Sequence, residues 1–283
     1  MKVGSVMEIK ILEKDDKRLR FQVNGISTPI ANALRRIMIA EVPAMAIDEV
    51  VLIDNSSVMH DEVLAHRLGL VPLKTDLDTY VLPEECSCQS ELGCNKCSVS
   101  LTLEAEAVDS VRNVYSGDLR SGNPDVVPVS DKIPLVKLAA GQRLKLEAYA
   151  RLGRGMKHAK WQPVSVSAYK LVPQIDINRS KCDACRSCAE ICPHGVLEVA
   201  NGKLSVVALE KCTLCKDCEA VCPKKPSAIK VKNVKDAFIF TVESTGALPP
   251  ERIVTEAVEI LRKKSKDFTE QLSQTKIKKG VRR

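Results

Sequence analysis

The sequence predicts an α+β protein of two or three domains, and three observations carry that prediction. Apolar and polar residues alternate at 7–11, 19–23, 98–107, 143–151 and 238–243, which is the period of half-buried strands. Near both ends of the chain the period changes to that of amphipathic helices. Between them a four-cysteine motif occurs twice, 30 residues apart, which marks an insertion with its own chemistry. At ~150 residues per domain, 283 residues fit two or three such units.

The first hairpin joins Met7, Ile9 and Ile11 to Leu19, Phe21 and Val23 through a turn at Asp15-Asp16-Lys17. A helix follows. Ser27 or Thr28 can cap it, Pro29 suits its first position, and Pro43 lies just beyond it. Ile30, Ala33, Leu34 and Ile37 give it one apolar face, with Arg35 and Arg36 pointing off that face. A second, short helix is expected over 61–68, before Gly69. Residues 108–131 read as a polar loop, with Gly117, Gly122, Pro124 and Pro128. A hairpin at 196–207 turns at Asn201-Gly202, a favoured type I′ pair. The last element is a long helix starting at Pro249-Pro250. Val254, Val258, Leu261, Phe268 and Leu272 recur along it at heptad-like spacing, a seam of roughly 34 Å. Such a seam either packs within its own domain or meets a partner.

Charge and hydropathy narrow the classes. Lys and Arg total 43 against 36 Asp and Glu, a net +7. Residues 262–283 hold nine bases and two acids, so the whole excess lies in this stretch and the body is neutral. A neutral body is no platform for a phosphate backbone, and the tail reads as a solvated one. No run of ~18 apolar residues exists for a membrane helix, and no apolar block resembles a secretory signal, so a cytoplasmic protein is expected.

Twelve cysteines in such a protein point to metal. Eight form the runs Cys182-x2-Cys185-x2-Cys188-x3-Cys192-Pro193 and Cys212-x2-Cys215-x2-Cys218-x3-Cys222-Pro223. A [4Fe–4S] cube takes three thiolates from a loop stepping every third residue. Its fourth comes from the other run. Cys182, Cys185, Cys188 and Cys222 are therefore expected at one cluster, and Cys212, Cys215, Cys218 and Cys192 at a second, as in bacterial dicluster ferredoxins. Zinc knuckles or a disulfide scaffold would not need the doubled run with both prolines. Cys86, Cys88, Cys94 and Cys97 form a compact knuckle suited to one Zn²⁺, with free thiols or a disulfide pair as the other readings.

Three further stretches carry a resemblance. They are the run from Ser27 to Met38 (STPIANALRRIM) with Glu41-Val42-Pro43-Ala44, the run from His60 to Leu73 (HDEVLAHRLGLVPL), and the run from Gly153 to Val164 (GRGMKHAKWQPV). Together they resemble the signatures of the RNA polymerase alpha-like family, and the ferredoxin run resembles its cluster-bearing archaeal members. The resemblance implies a dimerisation domain from both chain ends, 1–46 plus 226–283. It also implies a mainly β insert domain over 47–172 and a ferredoxin-like domain over 173–225. It implies a non-catalytic assembly subunit that pairs with a smaller alpha-like partner, archaeal subunit L. That pair would recruit small subunits N and P and dock the two largest subunits. By the same analogy Ile30, Ala33, Leu34, Ile37, Val254, Val258 and Leu261 are partner-facing candidates, Arg35 and Arg36 would touch a large subunit, and the knuckle would hold zinc as in eukaryotic relatives.

Other motifs carry less. Gly153-Arg154-Gly155 with Lys157 lacks the full phosphate-loop pattern, and Trp161 reads as packing rather than base stacking. His60, His66 and His158 make no metal-spaced set, His194 reads as an ordinary loop histidine, and no catalytic residue is expected. The alternative class is an electron-transfer protein of ferredoxin type. Against it, no flavin or nicotinamide motif accompanies the cysteines.

Overall fold

The computed structural model describes residues 7–88 and 90–274, so part of the basic stretch at 275–283 lies outside the described residues. The strands are β1 (Glu8–Lys14), β2 (Arg18–Asn24), β3 (Pro43–Asn55), β4 (Ser98–Glu106), β5 (Arg112–Tyr115), β6 (Arg120–Ser121), β7 (Pro134–Leu138), β8 (Arg143–Arg154), β9 (Val164–Ile177), β10 (Leu197–Ala200), β11 (Lys203–Val206) and β12 (Ile229–Ser244). The helices are α1 (Thr28–Ala40), α2 (Asp61–Gly69), α3 (Ser187–Glu190), α4 (Asp217–Ala220) and α5 (Pro250–Gln274). The fold is mixed α and β, with four-stranded sheets ordered β1-β2-β12-β9 and β3-β8-β4-β6 and two-stranded sheets β10-β11 and β5-β7.

The chain divides into two compact units. Among the described residues, the first comprises 7–13, 20–31 and 168–241, and the second 14–19, 32–167 and 242–274.

In the first unit β12 has two apolar faces, because successive side chains of a strand point to opposite sides. Phe238 and Phe240 are fully buried on one face. Phe21 stacks on Phe240 with centroids 5.2 Å apart, and Tyr169 meets Phe238 edge-on at 5.4 Å. Ala237 and Ile239 pack with Val172 and Leu12 on the other. The cysteine segment belongs to this same unit. Its hairpin β10-β11 pairs Ala200 with Lys203 across Asn201 and Gly202, whose φ values of 50° and 69° are those of the expected turn.

The second unit is organised on β8, which pairs with β3 on one side and β4 on the other. Its core joins Leu64 and Leu68 of α2 to Leu101, Leu103, Leu144 and Leu146. Arg67 fastens α2 further, donating to the carbonyls of Leu135 (2.9 Å) and Pro134 (2.6 Å). At the β1–β2 turn Asp15 accepts from the amides of Lys17 (2.8 Å) and Arg18 (2.7 Å), which hold its carboxyl below the usual range.

Two expectations change. The loop expected over 108–131 contains β5 and β6, because four- and two-residue strands pair with distant partners and carry little periodicity of their own. On α1 the fully buried positions are Ala31, Ile37 and Met38. Ile37 is therefore taken into this chain's own core rather than offered to a partner. Thr28, Asn32, Arg35 and Arg36 gather on one side and leave a broad apolar arc, so periodicity alone does not choose which part of that arc turns inward.

Candidate metal centres

The eight-cysteine segment is built twice over. Each short helix, α3 and α4, follows a loop with left-handed residues at matching positions. Ala184 (φ 56°) matches Leu214 (φ 63°), and Arg186 matches Lys216, both at φ 67°. A non-glycine residue held there costs about 1–2 kcal/mol, so the same backbone shape is enforced in both copies.

Two cavities result. The first encloses about 370 Å³ of empty space, partly open to solvent, lined by Cys182, Cys185, Cys188 and Cys222. Val199, Leu204, Ala228 and Ile229 complete its wall. The second, about 360 Å³, is lined by Cys212, Cys215, Cys218 and Cys192, with Ile175, Val196, Leu197 and Val231. The fourth cysteine of each run thus lines the cavity of the other run. The apolar walls make an uncompensated thiolate costly. Burial, followed by the neighbouring thiolates, pushes the Cys218 thiol up to about 11, and burial raises Cys188. At Cys222 burial also pushes up, but donation from the Ser227 hydroxyl and from the amides of Ala228, Lys224 and Ile229 outweighs it, and the thiol is lowered. The Ala228 amide lies 3.4 Å from its sulfur. Cys185 and Cys215 are exposed at equivalent places.

The knuckle is geometrically different. Its four sulfurs lie within 4.8 Å of one another, and among the described residues no other set of three or more ligand atoms is so tight. Cys86 and Cys94 are 3.7 Å apart, as are Cys88 and Cys97, and Cys94 and Cys97 are 3.9 Å apart. A tetrahedral ion with Zn–S bonds of ~2.3 Å places its sulfurs ~3.8 Å apart, so the four thiols fit one such ion. A single 3-10 turn at Pro83–Glu85 delivers Cys86, and the amides of Cys97 and Ser98 both donate to the Cys94 carbonyl. Gly93 has φ +85°, and a Cβ there would lie 2.6 Å from the Ser98 Cβ and 3.1 Å from the Cys97 sulfur. Only glycine closes this loop without displacing a ligand. The Lys96 amide lowers the Cys94 thiol to about 7, and burial lifts Cys97 to about 12. Ion pairs Glu84–Lys157 and Glu85–Arg154 (3.8 Å), with donation from Arg151 to the Glu91 carbonyl, tie the knuckle to β8 and the turn after it.

The partner-facing candidates divide. Ile30 is 44% exposed, and Ala33 and Leu34 are half-buried. On α5 the buried line is Pro250, Ile253 and Ala257. The heptad seam lies on another side: Val254 and Leu261 are half-buried, whereas Val258, Phe268 and Leu272 are 45%, 68% and 63% exposed. Arg36 is exposed, and Arg35 is half-buried with its Nε donating to Asn32 at 3.1 Å. The Gly153–Val164 motif is a packing device. Trp161 donates from Nε1 to the Arg151 carbonyl at 3.1 Å, and its ring occupies the space a Cβ on Gly153 would need. Lys160 sits 4.3 Å over that ring and donates to the Ile47 carbonyl and Asp48. Sequence reasoning missed the exposure of the apolar row Met7, Ile9 and Ile11, the last two on β1, whose alternation reads as that of a half-buried strand. It also missed Lys170 and Glu219, whose contacts reach across the first unit and leave no local signature.

A mixed α/β chain with clustered thiols and a long helix whose apolar seam is turned outward has the make-up of a subunit of a larger assembly. A family model described as the RNA polymerase Rpb3/Rpb11 dimerisation domain matches residues 20–265. The chain is 48% identical over 261 residues to the DNA-directed RNA polymerase subunit Rpo3 of Archaeoglobus fulgidus, covering 92% of this chain and 96% of that protein. It is 48% identical over 262 residues to subunit Rpo3 of Methanothermobacter thermautotrophicus, with the same shares covered. It is 38% identical over 289 residues to DNA-directed RNA polymerase II subunit rpb3 of Dictyostelium discoideum, covering 94% of this chain and 95% of the relative. The chain belongs to the Rpo3/Rpb3 family of RNA polymerase subunits.

Proposed function

We propose that this chain is a non-catalytic assembly platform of archaeal RNA polymerase. It pairs with subunit L through α1 and α5, and the pair then gathers subunits N and P and the two largest subunits. The dimerisation domain comprises 1–46 and 226–283, the insert domain 47–172 and the ferredoxin-like domain 173–225. The observation that carries this reading is the outward seam of α5, where Val258, Phe268 and Leu272 expose apolar area that burial in a partner would stabilise. Arg35 and Arg36 are the candidates for contact with a large subunit. The reading rests on the family membership together with this face.

Two [4Fe–4S] clusters fit the two thiol-lined cavities, and one Zn²⁺ fits the knuckle. The fit is supported by the donor set, four thiols per cavity, by the apolar walls, and by the tetrahedral sulfur spacing at Cys86, Cys88, Cys94 and Cys97. When bound, the clusters supply folding free energy to a segment with little core of its own, and a redox response to oxidants. The chain's own residues hold the thiolates, exclude water with Val199, Leu204, Val196 and Leu197, and keep the zinc loop closed with Gly93.

Anaerobic co-expression with subunit L, followed by gel filtration and metal analysis, tests the reading. The parent is expected to elute as a 1:1 heterodimer with about eight irons and one zinc per chain. Val258→Asp combined with Phe268→Asp is expected to elute as two separate subunits. A parent that does not pair with subunit L overturns the platform reading, and a variant that pairs as tightly as the parent overturns the α5 seam as its interface. The electron-transfer alternative is favoured by the exposure of Cys185 and Cys215, which bring the first and second cavities to the surface. A reductase that reduces the chain at a useful rate would support it.

A further inference from the structure

The two cysteine sites arise from one duplicated motif, yet they are fastened differently. Around the second site two side chains reach across from other elements. Lys170, in the middle of β9, donates from Nζ to the carbonyls of Glu210 (2.6 Å) and Cys212 (3.1 Å). These carbonyls belong to the 3-10 turn Leu209–Lys211 and to the first ligand after it. Glu219, on α4, accepts from the amide of Val231 on β12 at 3.1 Å. Val231 itself lines the second cavity. The second site is thus held to both β9 and β12, neighbouring strands of the sheet that carries Phe238 and Phe240.

Thirty residues earlier the counterparts differ. Glu219 corresponds to Ala189, which has no carboxylate, and Glu210 corresponds to Ser180, whose hydroxyl donates locally to Asn178 at 2.7 Å. The Cys182 amide likewise donates to the Asn178 carbonyl, four residues back. The first cavity is closed by a pair of its own, Asp183–Lys224 at 2.8 Å across its rim. Its counterparts at the second cavity are Thr213 and His194, which make no such ion pair.

We infer that Lys170 and Glu219 are positioning residues that couple loading of the second site to the stability of strands β9 and β12, while the first site meets β12 at its first residue, Ile229, and its rim pair Asp183–Lys224 stays within the cysteine segment. The inference rests on the cluster reading above. Hydrogen bonds with one ionised partner are about twice as strong as neutral ones, and three such bonds, two from Lys170 and one to Glu219, join the second site to the strands. A chain that loses its second cluster therefore loosens the sheet, whereas one that loses its first loosens it far less.

The test uses the full chain, loaded anaerobically with iron and sulfide. Hydrogen exchange is followed at 168–172 and 236–241. Cys185→Ala and Cys215→Ala remove equivalent, exposed thiols, so each disturbs folding little by itself. Cys215→Ala is expected to speed exchange in these strands about tenfold, and Cys185→Ala by less than about twofold. Lys170→Met is expected to reproduce the fast exchange with the first cluster's absorbance retained, and Lys170→Arg to restore protection. Combining Lys170→Met with Cys215→Ala should add little to either, since both break one connection. Equal loosening by Cys185→Ala and Cys215→Ala, or full protection in Lys170→Met, overturns the coupling while leaving the clusters in place. A parent that takes up no iron overturns the cluster reading and the coupling with it.

Discussion

The chain uses cysteine in two regions on two different plans. In the knuckle, four thiols from twelve consecutive residues stand 3.7–3.9 Å apart and leave room for one ion between them. Its surroundings are polar, and ion pairs tie it to β8 and the following turn. In the 182–222 segment the thiols surround two cavities, and each cavity draws its fourth thiol from the other copy. There the surroundings are apolar, and Cys188, Cys212, Cys218 and Cys222 count among the residues of a hydrophobic core. The comparison separates two ways a metal can serve a fold. A knuckle pins a loop onto a core that exists without it. A cavity site is the core, so removing its contents removes the reason for the segment to fold.

The sharpest way to break this comparison is to replace all eight cysteines of 182–222 with serine. Protease resistance over 178–228 is expected to vanish, while the knuckle keeps its single zinc and the core around Leu101, Leu103 and Leu146 stays protected. Limited proteolysis with metal analysis reads both, and loss of zinc in this variant would show that the two regions are not independent. Next in size, Cys94→Ser is expected to release the knuckle zinc and expose 83–97 to proteases, with the iron content unchanged. A smaller effect is expected from Gly93→Ala. A left-handed alanine costs about 1–2 kcal/mol, so zinc affinity measured by chelator competition should fall roughly tenfold or more. The smallest belongs to Glu84→Gln, which breaks the pair with Lys157. Both side chains are about half exposed, so the melting temperature should shift by no more than about 2 °C and zinc should be retained. A large loss in that variant would mean that the pair, rather than the thiols, holds the loop.

Much of this was legible in the residues, and the parts that were not share a cause. The β1–β2 and β10–β11 hairpins, α2, β4 and β8 carry clean local periods with turn or cap residues at their ends. The grouping of the thiols was legible because their spacing is written along the chain. β3 was not, since its pairing with β8 shifts register between Ile47 and Glu49 and again between Leu52 and Asp54, which scrambles its alternation. β5 and β7 pair with each other across a gap that the sequence presents as loop. Ile37 turned inward because α1 offers apolar residues on several sides. Lys170 was invisible for a related reason: it acts 40 residues away from Glu210, and only the folded strands bring the two together.

Strand β12 serves both cavities. Ile229 lines the first and Val231 the second. Two residues of a strand span about 6.6–6.8 Å, and both side chains point the same way. The strand therefore works as a ruler with its marks cut by the pleat, setting the spacing of two compartments by its own rise. A point substitution spoils one mark, but an insertion or deletion of one residue between Val231 and Phe238 would turn both marks to the wrong side at once. In this chain, duplication of the cysteine motif supplied two sites, and a single undivided strand keeps them in step.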